Sequence, residues 1–339
     1  MDVALIGYGL AGSVFHGPLL EASPDFRVAH VVTGNASRAD AARAKHAGVQ
    51  INRVAEEIWE RASEVDLVVI ATPNREHARL ARQAIEAGIP VVVDKPLATD
   101  LDEARDIVHA AERAGVLLTV FQNRRWDGDF LTVRRILGEG LLGEVHRFES
   151  RFERWRPQVA DAWREDPDPA AGGGVLLDLG SHLIDQALVL FGPARSVHAE
   201  IRASRGGALA DDDDFVAIEH ASGVVSHLWM SAAAAQQGPR FRVLGSTGAY
   251  VKYGLDPQEA ALRDGQDPAS ADFGKEPENQ YGKHFDGETV RTIPTEIGRY
   301  LTFYETLHLA LSQGSPRPVE PREVLDVMGV VETSRKVRK

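Results

Sequence analysis

The stretch Val3-Ala4-Leu5-Ile6-Gly7-Tyr8-Gly9-Leu10-Ala11-Gly12 decides the fold. Four apolar residues make a short strand, and a Gly-x-Gly-x-x-Gly turn follows at once, opening a helical segment to about Ala22. Glycines there permit a tight turn, and the unpaired N–H groups of the helix that follows favour a pyrophosphate. A glycine triplet by itself is a weak signal. Between a first strand and its helix it reads as a dinucleotide-binding turn made by Gly7, Gly9, Leu10, Ala11 and Gly12.

Outward from that turn, apolar strands at 26–32, 65–71, 90–93 and 117–121 alternate with helical segments at 36–47, 75–87 and 101–114. Asp100 and Glu103 have capping-box spacing before the last of these. Such alternation predicts an α/β fold, a doubly wound parallel sheet of the Rossmann kind over residues 1–122. The pattern changes after about Gly143. Residues 144–153 alternate, a loop rich in Trp, Arg and Pro follows, and a glycine-led apolar run from Gly172 to Phe191 reads as a buried helix. Strands at 195–202, 215–220, 224–231, 240–244 and 249–253 predict a large, mostly antiparallel sheet, so residues 123–339 are expected to form an α+β domain. The acidic run Asp211–Asp214 reads as a solvated loop, and 256–288 as a long surface excursion. Two helices, 298–312 and 322–338, close the chain, the last expected to pack back on the first domain.

Composition narrows the function. The chain has 339 residues, 43% hydrophobic and 26% charged, which is ordinary for a globular protein of two domains. A net charge of −12 argues against nucleic acid as a partner. With no cysteine there are no disulfides and no thiol chemistry, which fits a reducing cytoplasm. No basic, apolar leader opens the chain, and no apolar run is read as reaching the ~20 residues of a membrane span.

Three places carry candidate chemistry. Strand 26–32 leads into Thr33-Gly34-Asn35-Ala36-Ser37-Arg38, without the Asp or Glu that would hold a free ribose 2′-hydroxyl. Small residues with Arg38 suit a 2′-phosphate, so NADP is favoured and NAD stays possible; Arg38 as a solvated helix residue is the alternative. Lys95 closes a strand at its carboxyl end, where doubly wound sheets bind ligand, and Pro96 brackets it. On the buried helix, Asp178, His182 and Asp185 fall at i, i+4 and i+7 and share one face, with Ser181 beside them. That stripe is either a catalytic set facing a wet cavity or a satisfied polar network pinning a core helix.

Gly7-x-Gly9-x-x-Gly12, Thr72-Pro73-Asn74 with His77, Asp94-Lys95-Pro96 and Gly174-x-x-x-Asp178-x-Gly180-x-His182-x-x-Asp185 together resemble the glucose–fructose oxidoreductase, inositol dehydrogenase and MocA (Gfo/Idh/MocA) family over the whole chain. Residues 120–127, 156–159, 163–165 and 251–259 resemble its bacterial NADP-dependent scyllo-inositol 2-dehydrogenase branch. The resemblance implies an NAD(P)-dependent alcohol dehydrogenase for CH–OH donors, with catalytic Lys95, Asp178 and His182. It adds Thr72, Pro73, Asn74, His77 and Asp94 to the cofactor residues. It makes a cyclic polyol or sugar the substrate, with Asn123, Arg124 and Trp163 as further contacts, and a homodimer or homotetramer the assembly, through the second sheet. A hydroxyl proton must leave with the hydride, and His182 is the residue type suited to take it near neutral pH. Asp185 is expected to brace His182 or cap a neighbouring element. A same-fold enzyme on another keto-sugar or diol and a nucleotide-sensing regulator remain alternatives, as does a metal hydrolase built on Asp178 and His182.

Overall fold

The computed structural model describes residues 1–160 and 163–337, divided into two compact units. The first unit comprises 1–123, 258–273 and 299–325, and the second takes 124–257, 274–298 and the chain from 326 onward. The expected second domain, 123–339, is therefore interrupted, because two of its segments belong to the first unit.

The first unit is built on six parallel strands, β1 (Asp2–Ile6), β2 (Arg27–Val32), β3 (Gln50–Asn52), β4 (Leu67–Ile70), β5 (Val91–Asp94) and β6 (Leu118–Phe121). Their order is β3-β2-β1-β4-β5-β6, so the winding reverses between β1 and β4. At such a reversal the loops beyond the carboxyl ends part and leave a crevice, here beyond Ile6 and Ile70. The sheet is buried on both faces, which is why Leu67–Ile70 and Val91–Val93 are uninterrupted apolar runs with no exposure. Asp100 caps the helix Leu101–Ala114, its carboxylate accepting from Glu103 N at 2.9 Å, and Gly115 ends that helix at φ +66°. The helix Leu301–Gln313 adds Phe303, Tyr304 and Leu307 to this core, and the Thr119 hydroxyl donates to Val319 O at 2.8 Å.

The second unit carries an eight-stranded sheet: β7 (Val145–Glu153), β8 (Ala194–Glu200), β9 (Asp213–His220), β10 (Val225–Ser231), β11 (Phe241–Gly245), β12 (Ala249–Lys252), β13 (Gly282–Phe285) and β14 (Val290–Ile293). The order is β14-β13-β12-β11-β7-β10-β9-β8, antiparallel throughout except for the parallel pair β7 and β10. Phe148, Phe152, Val216, Ile218, Leu228, Met230, Phe241 and Val243 alternate inward and are fully buried. Against them lies the helix Ser181–Phe191, with Phe148 and Phe191 in ring contact at 5.3 Å.

Two expectations are corrected here. Residues 169–191, a 3₁₀ turn followed beyond Gly174 by the long helix, are apolar enough by length and composition to cross a membrane. However, 67% of their apolar window is buried inside the protein, as in a core helix. Nor is 256–288 a structureless excursion: it contributes the helix Gln258–Arg263 and strand β13. In it Glu276, nearly fully buried, accepts from Lys252 at 2.7 Å, and such long-range pairing of polar residues leaves no periodicity to read. The last expected helix runs Pro321–Val337, and its expected end at Arg338 lies outside the described residues.

Candidate active site

In the first unit, β1 delivers the chain to Gly7 at φ +94°, where a Cβ would stand 2.6 Å from Ala71 O. A Cβ on Gly12 would fall 2.1 Å from Gly7 O. Both positions therefore require glycine, one for its dihedral and the other for close approach. The chain then makes a π-turn, Ala11–His16, before the helix Gly17–Ala22, and no side chain caps its start. Those N–H groups are left to meet an anion. Below the turn the Tyr8 phenol meets His46 Nε2 at 2.9 Å, and His46 Nδ1 lies 2.8 Å from Glu21. Burial pushes that phenol up to about 12.

After β2, Thr33 Oγ1 accepts from Asn35 N at 3.3 Å, and Asn35 Oδ1 accepts from Arg38 N at 3.0 Å, capping the helix Ala36–Lys45. Asn35, expected as a cofactor residue, thus spends its amide oxygen on the cap. The exposed Arg38 side chain reaches back over the glycine turn, its guanidinium 3.8 Å from where a Cβ on Gly9 would stand. Gly34 has nothing within 4 Å of its Cβ position.

Beyond β4, the Thr72 hydroxyl is buried without a protein partner. His77 lies underneath, 1% exposed, with Nδ1 2.7 Å from Pro96 O and Nε2 2.9 Å from Thr72 O. It staples the loop after β4 to the loop after β5, so the structure gives His77 a supporting place where cofactor contact was expected. Pro73 is exposed and Asn74 buried in the same bend. At the end of β5 the Asp94 carboxylate accepts from Lys95 N at 2.9 Å, and both side chains are half-buried. Glycines that clear the backbone, uncapped N–H groups, an orphaned Thr72 hydroxyl and an arginine over Gly9 suit a nicotinamide dinucleotide in their donor chemistry.

His16, in the first helical turn, is fully buried, its Nδ1 2.6 Å from the Tyr304 hydroxyl and its Nε2 3.9 Å from Asp94 Oδ1. Burial pushes His16 down to about 4, against the pull of Asp94 and with the push of His77. An unfolded histidine takes up a proton near pH 6.5, which the folded chain refuses until about pH 4. The stability this contributes is present above pH 6.5 and is lost as pH falls through that window, by about 3 kcal/mol. Denaturant melts of the parent and of His16→Gln at neutral and acid pH check this. The parent should lose about 3 kcal/mol more than the variant; equal losses would contradict it.

In the second unit, Gly173 and Gly174 let the Trp-rich loop lie on the start of the long helix. Gly174 N donates to Arg164 O at 2.9 Å, and a Cβ on Gly173 would stand 2.6 Å from Asp166 O. Gly174, at φ +87°, also clears Asp211, whose carboxylate accepts from Leu176 N at 2.8 Å and caps the helix. The run Asp211–Asp214 is consequently no solvated loop. Asp212 is fully buried against Arg205 at 2.8 Å, and Asp214 accepts from Arg202 N at 2.9 Å.

The helix opens with a π-turn, Leu176–Gly180, then runs as Ser181–Phe191. Asp178 is 27% exposed, and His182, one turn on, is buried. The Arg164 guanidinium stands 3.7 Å from Asp178 and stacks at 4.4 Å on the half-exposed ring of Trp163. Ser181 donates to Leu177 O at 2.7 Å, inside the helix.

Asp185 has a partner on another element. It receives two bonds from Arg125, at 2.9 and 2.7 Å, in a buried pair. Gln186 donates to Arg124 O at 2.8 Å and accepts from Arg240 at 2.7 Å. Arg124, expected to meet substrate, is buried 3.3 Å from Asp127 and 4.5 Å over the Phe152 ring, so its charge is engaged inside the unit. Asn123 is 6% exposed. Among the described residues no group of three or more His, Asp or Glu could hold a metal ion.

Arg164, His16 and Tyr304 were not singled out from the sequence. Arg164 alone had a signal, its neighbourhood to Trp163 in a quoted segment.

With this geometry in hand, comparison with known proteins is informative. A family model described as an oxidoreductase family with an NAD-binding Rossmann fold matches residues 1–122, and the GFO/IDH/MocA C-terminal domain model matches 130–251. The NADP⁺-dependent scyllo-inositol 2-dehydrogenase IolW of Bacillus subtilis is 34% identical, covering 98% of this chain and 92% of its own. The oxidoreductase YdgJ of Escherichia coli is 40% identical over 97% of this chain and 94% of its own. Among solved structures, the Bacillus subtilis oxidoreductase YvaA superposes with a TM-score of 0.94 at 33% identity, covering 99% of this chain and 95% of its own.

Proposed function

The chain belongs to the Gfo/Idh/MocA family of oxidoreductases, and on that premise we propose that it moves hydride between NADP and the CH–OH carbon of a cyclic polyol, scyllo-inositol and its inosose first. The Asp178–His182 turn carries the reading: a half-exposed carboxylate and a buried imidazole follow each other on one helix, beside an arginine and an aromatic ring. The full-length likeness to a scyllo-inositol dehydrogenase supports the substrate class.

Each residue has an assigned task. His182 takes the proton of the reacting hydroxyl, a task to which an imidazole is suited near neutral pH. Asp178 accepts from a neighbouring hydroxyl and fixes which carbon is presented. The Lys95 ammonium, held at the end of β5, stabilises negative charge developing on the oxygen. The oxidised nicotinamide, when bound, supplies the hydride acceptor. Hydride and proton leave together, and the product is the ketone.

Arg38 over Gly9, with no acid after β2, supports a 2′-phosphate. Arg38→Ala should raise KM for NADP⁺ by roughly 10–100-fold, the worth of charge-assisted hydrogen bonds, and leave KM for NAD⁺ unchanged. Unchanged KM for NADP⁺ would remove the cofactor assignment.

The open face of the eight-stranded sheet supports assembly as a homodimer or homotetramer. Phe215 and Trp229 pair there at 5.1 Å, Arg151 stacks on Trp229 at 3.9 Å, and Trp155 and Tyr253 are exposed. The cysteine-free composition suits a cytoplasmic enzyme.

Initial rates with scyllo-inositol, myo-inositol and a set of aldoses, each with NADP⁺ and NAD⁺, test the whole reading. Turnover of scyllo-inositol with NADP⁺ preferred is expected. A rate with NAD⁺ alone would overturn the 2′-phosphate assignment, and silence across the set with cofactor bound would overturn the polyol.

A further inference from the structure

Tyr304 lies on the helix Leu301–Gln313 and is fully buried among aromatic rings, Phe26 at 5.7 Å, Phe121 at 6.0 Å and Phe303 at 5.3 Å. His16 is buried in the same box, its ring 4.4 Å from that of Phe121. An apolar side chain would fill either place without desolvating a hydroxyl or an imidazole, so the polar pair calls for another explanation. The 2.6 Å contact between Tyr304 Oη and His16 Nδ1 allows two proton arrangements. If Nδ1–H donated, the bare Nε2 lone pair would face the Asp94 carboxylate at 3.9 Å, and the phenol proton would have no acceptor. If the phenol donates, Nε2 carries the hydrogen and turns its positive end toward Asp94. Only the second arrangement avoids both penalties. Nε2 has no hydrogen-bond partner, and at 3.9 Å its contact with Asp94 Oδ1 is electrostatic. The same Asp94 oxygen, Oδ1, accepts from Lys95 N at 2.9 Å, so the His16 edge and the Lys95 backbone meet at one atom.

We infer that Tyr304 and His16 are positioning residues that fix the Asp94 carboxylate, and through it the backbone of Lys95, by a directed chain from the Tyr304 hydroxyl through the Nε2–H tautomer of His16. The link to turnover rests on the role assigned to Lys95 above. The tautomer does not.

Long-range ¹H–¹⁵N spectra of the ¹⁵N-labelled full chain, with and without NADP⁺, read the tautomer directly. A neutral Nε2–H ring for His16 is expected, converted to Nδ1–H or to a mixture in Tyr304→Phe. An Nδ1–H ring in the parent overturns the inference whatever the variants do. Kinetics test the link to Lys95. His16→Asn lacks a donor near the Nε2 position and should lower kcat about tenfold, with KM for the polyol unchanged, as should Tyr304→Phe. His16→Gln restores a donor there and should recover most of the loss. Equal kcat for His16→Asn and His16→Gln would reduce the pair to packing. No turnover by the parent on any polyol would count against the proposed function, and the spectra would still decide the tautomer.

Discussion

Replacing His182 by alanine should lower kcat for polyol oxidation by about 10²–10⁴-fold, the usual worth of a positioned general base. The dissociation constant of NADPH should stay within about twofold, because the ring is assigned to proton transfer and not to the nucleotide. His182 is buried on the helix Ser181–Phe191, in the second unit, whereas Gly7, Gly12 and Arg38 belong to the first. A same-sized His182→Gln variant separates proton transfer from packing and should be nearly as slow. Stopped-flow binding of NADPH beside steady-state rates gives both quantities. Equal losses in cofactor affinity and turnover would count against the assigned role.

The second large effect is on stability. Asp185→Ala leaves the Arg125 guanidinium, only 10% exposed, without the carboxylate that receives two of its bonds. Breaking one side of a buried ion pair costs about 3–5 kcal/mol, since the remaining charge is desolvated and uncompensated. Denaturant unfolding should show that loss. Removing both charges, as in Arg125→Met with Asp185→Leu, should recover much of it, because an apolar pair carries no desolvation penalty. A double variant no more stable than the single one would mean that Asp185 matters for something other than Arg125.

Local patterns were legible in the chain, and distant pairings were not. The strand before Gly7 and the glycine spacing are set by backbone sterics among neighbours, so the turn could be read directly, as could the helix capped by Asp100. The π-turns at Ala11–His16 and Leu176–Gly180 shift a hydrogen-bond pattern without changing residue type, so neither could be read from the chain. Arg125, which donates twice to Asp185, lies 60 residues earlier in the chain. The acids of Asp211–Asp214 resemble a solvated loop in composition, yet Asp211 caps a helix and Asp212 holds Arg205. Gln50–Asn52 was missed because three residues are too few to show a period. In the candidate site, residue types were legible at Lys95, Asp178, His182 and Arg38, and their supports, Arg164, His16 and Tyr304, came only with the fold.

The most direct test of the account is transfer of the hydride itself. NADPH deuterated at the transferable position of the nicotinamide should be incubated with scyllo-inosose, and the recovered polyol examined by mass spectrometry. One deuterium on the carbon that bore the ketone, absent with His182→Gln over the same time, is the result the account predicts. NADPH that binds but returns no label to this or any related keto-sugar would contradict it, and would leave the fold as a nucleotide-binding regulator.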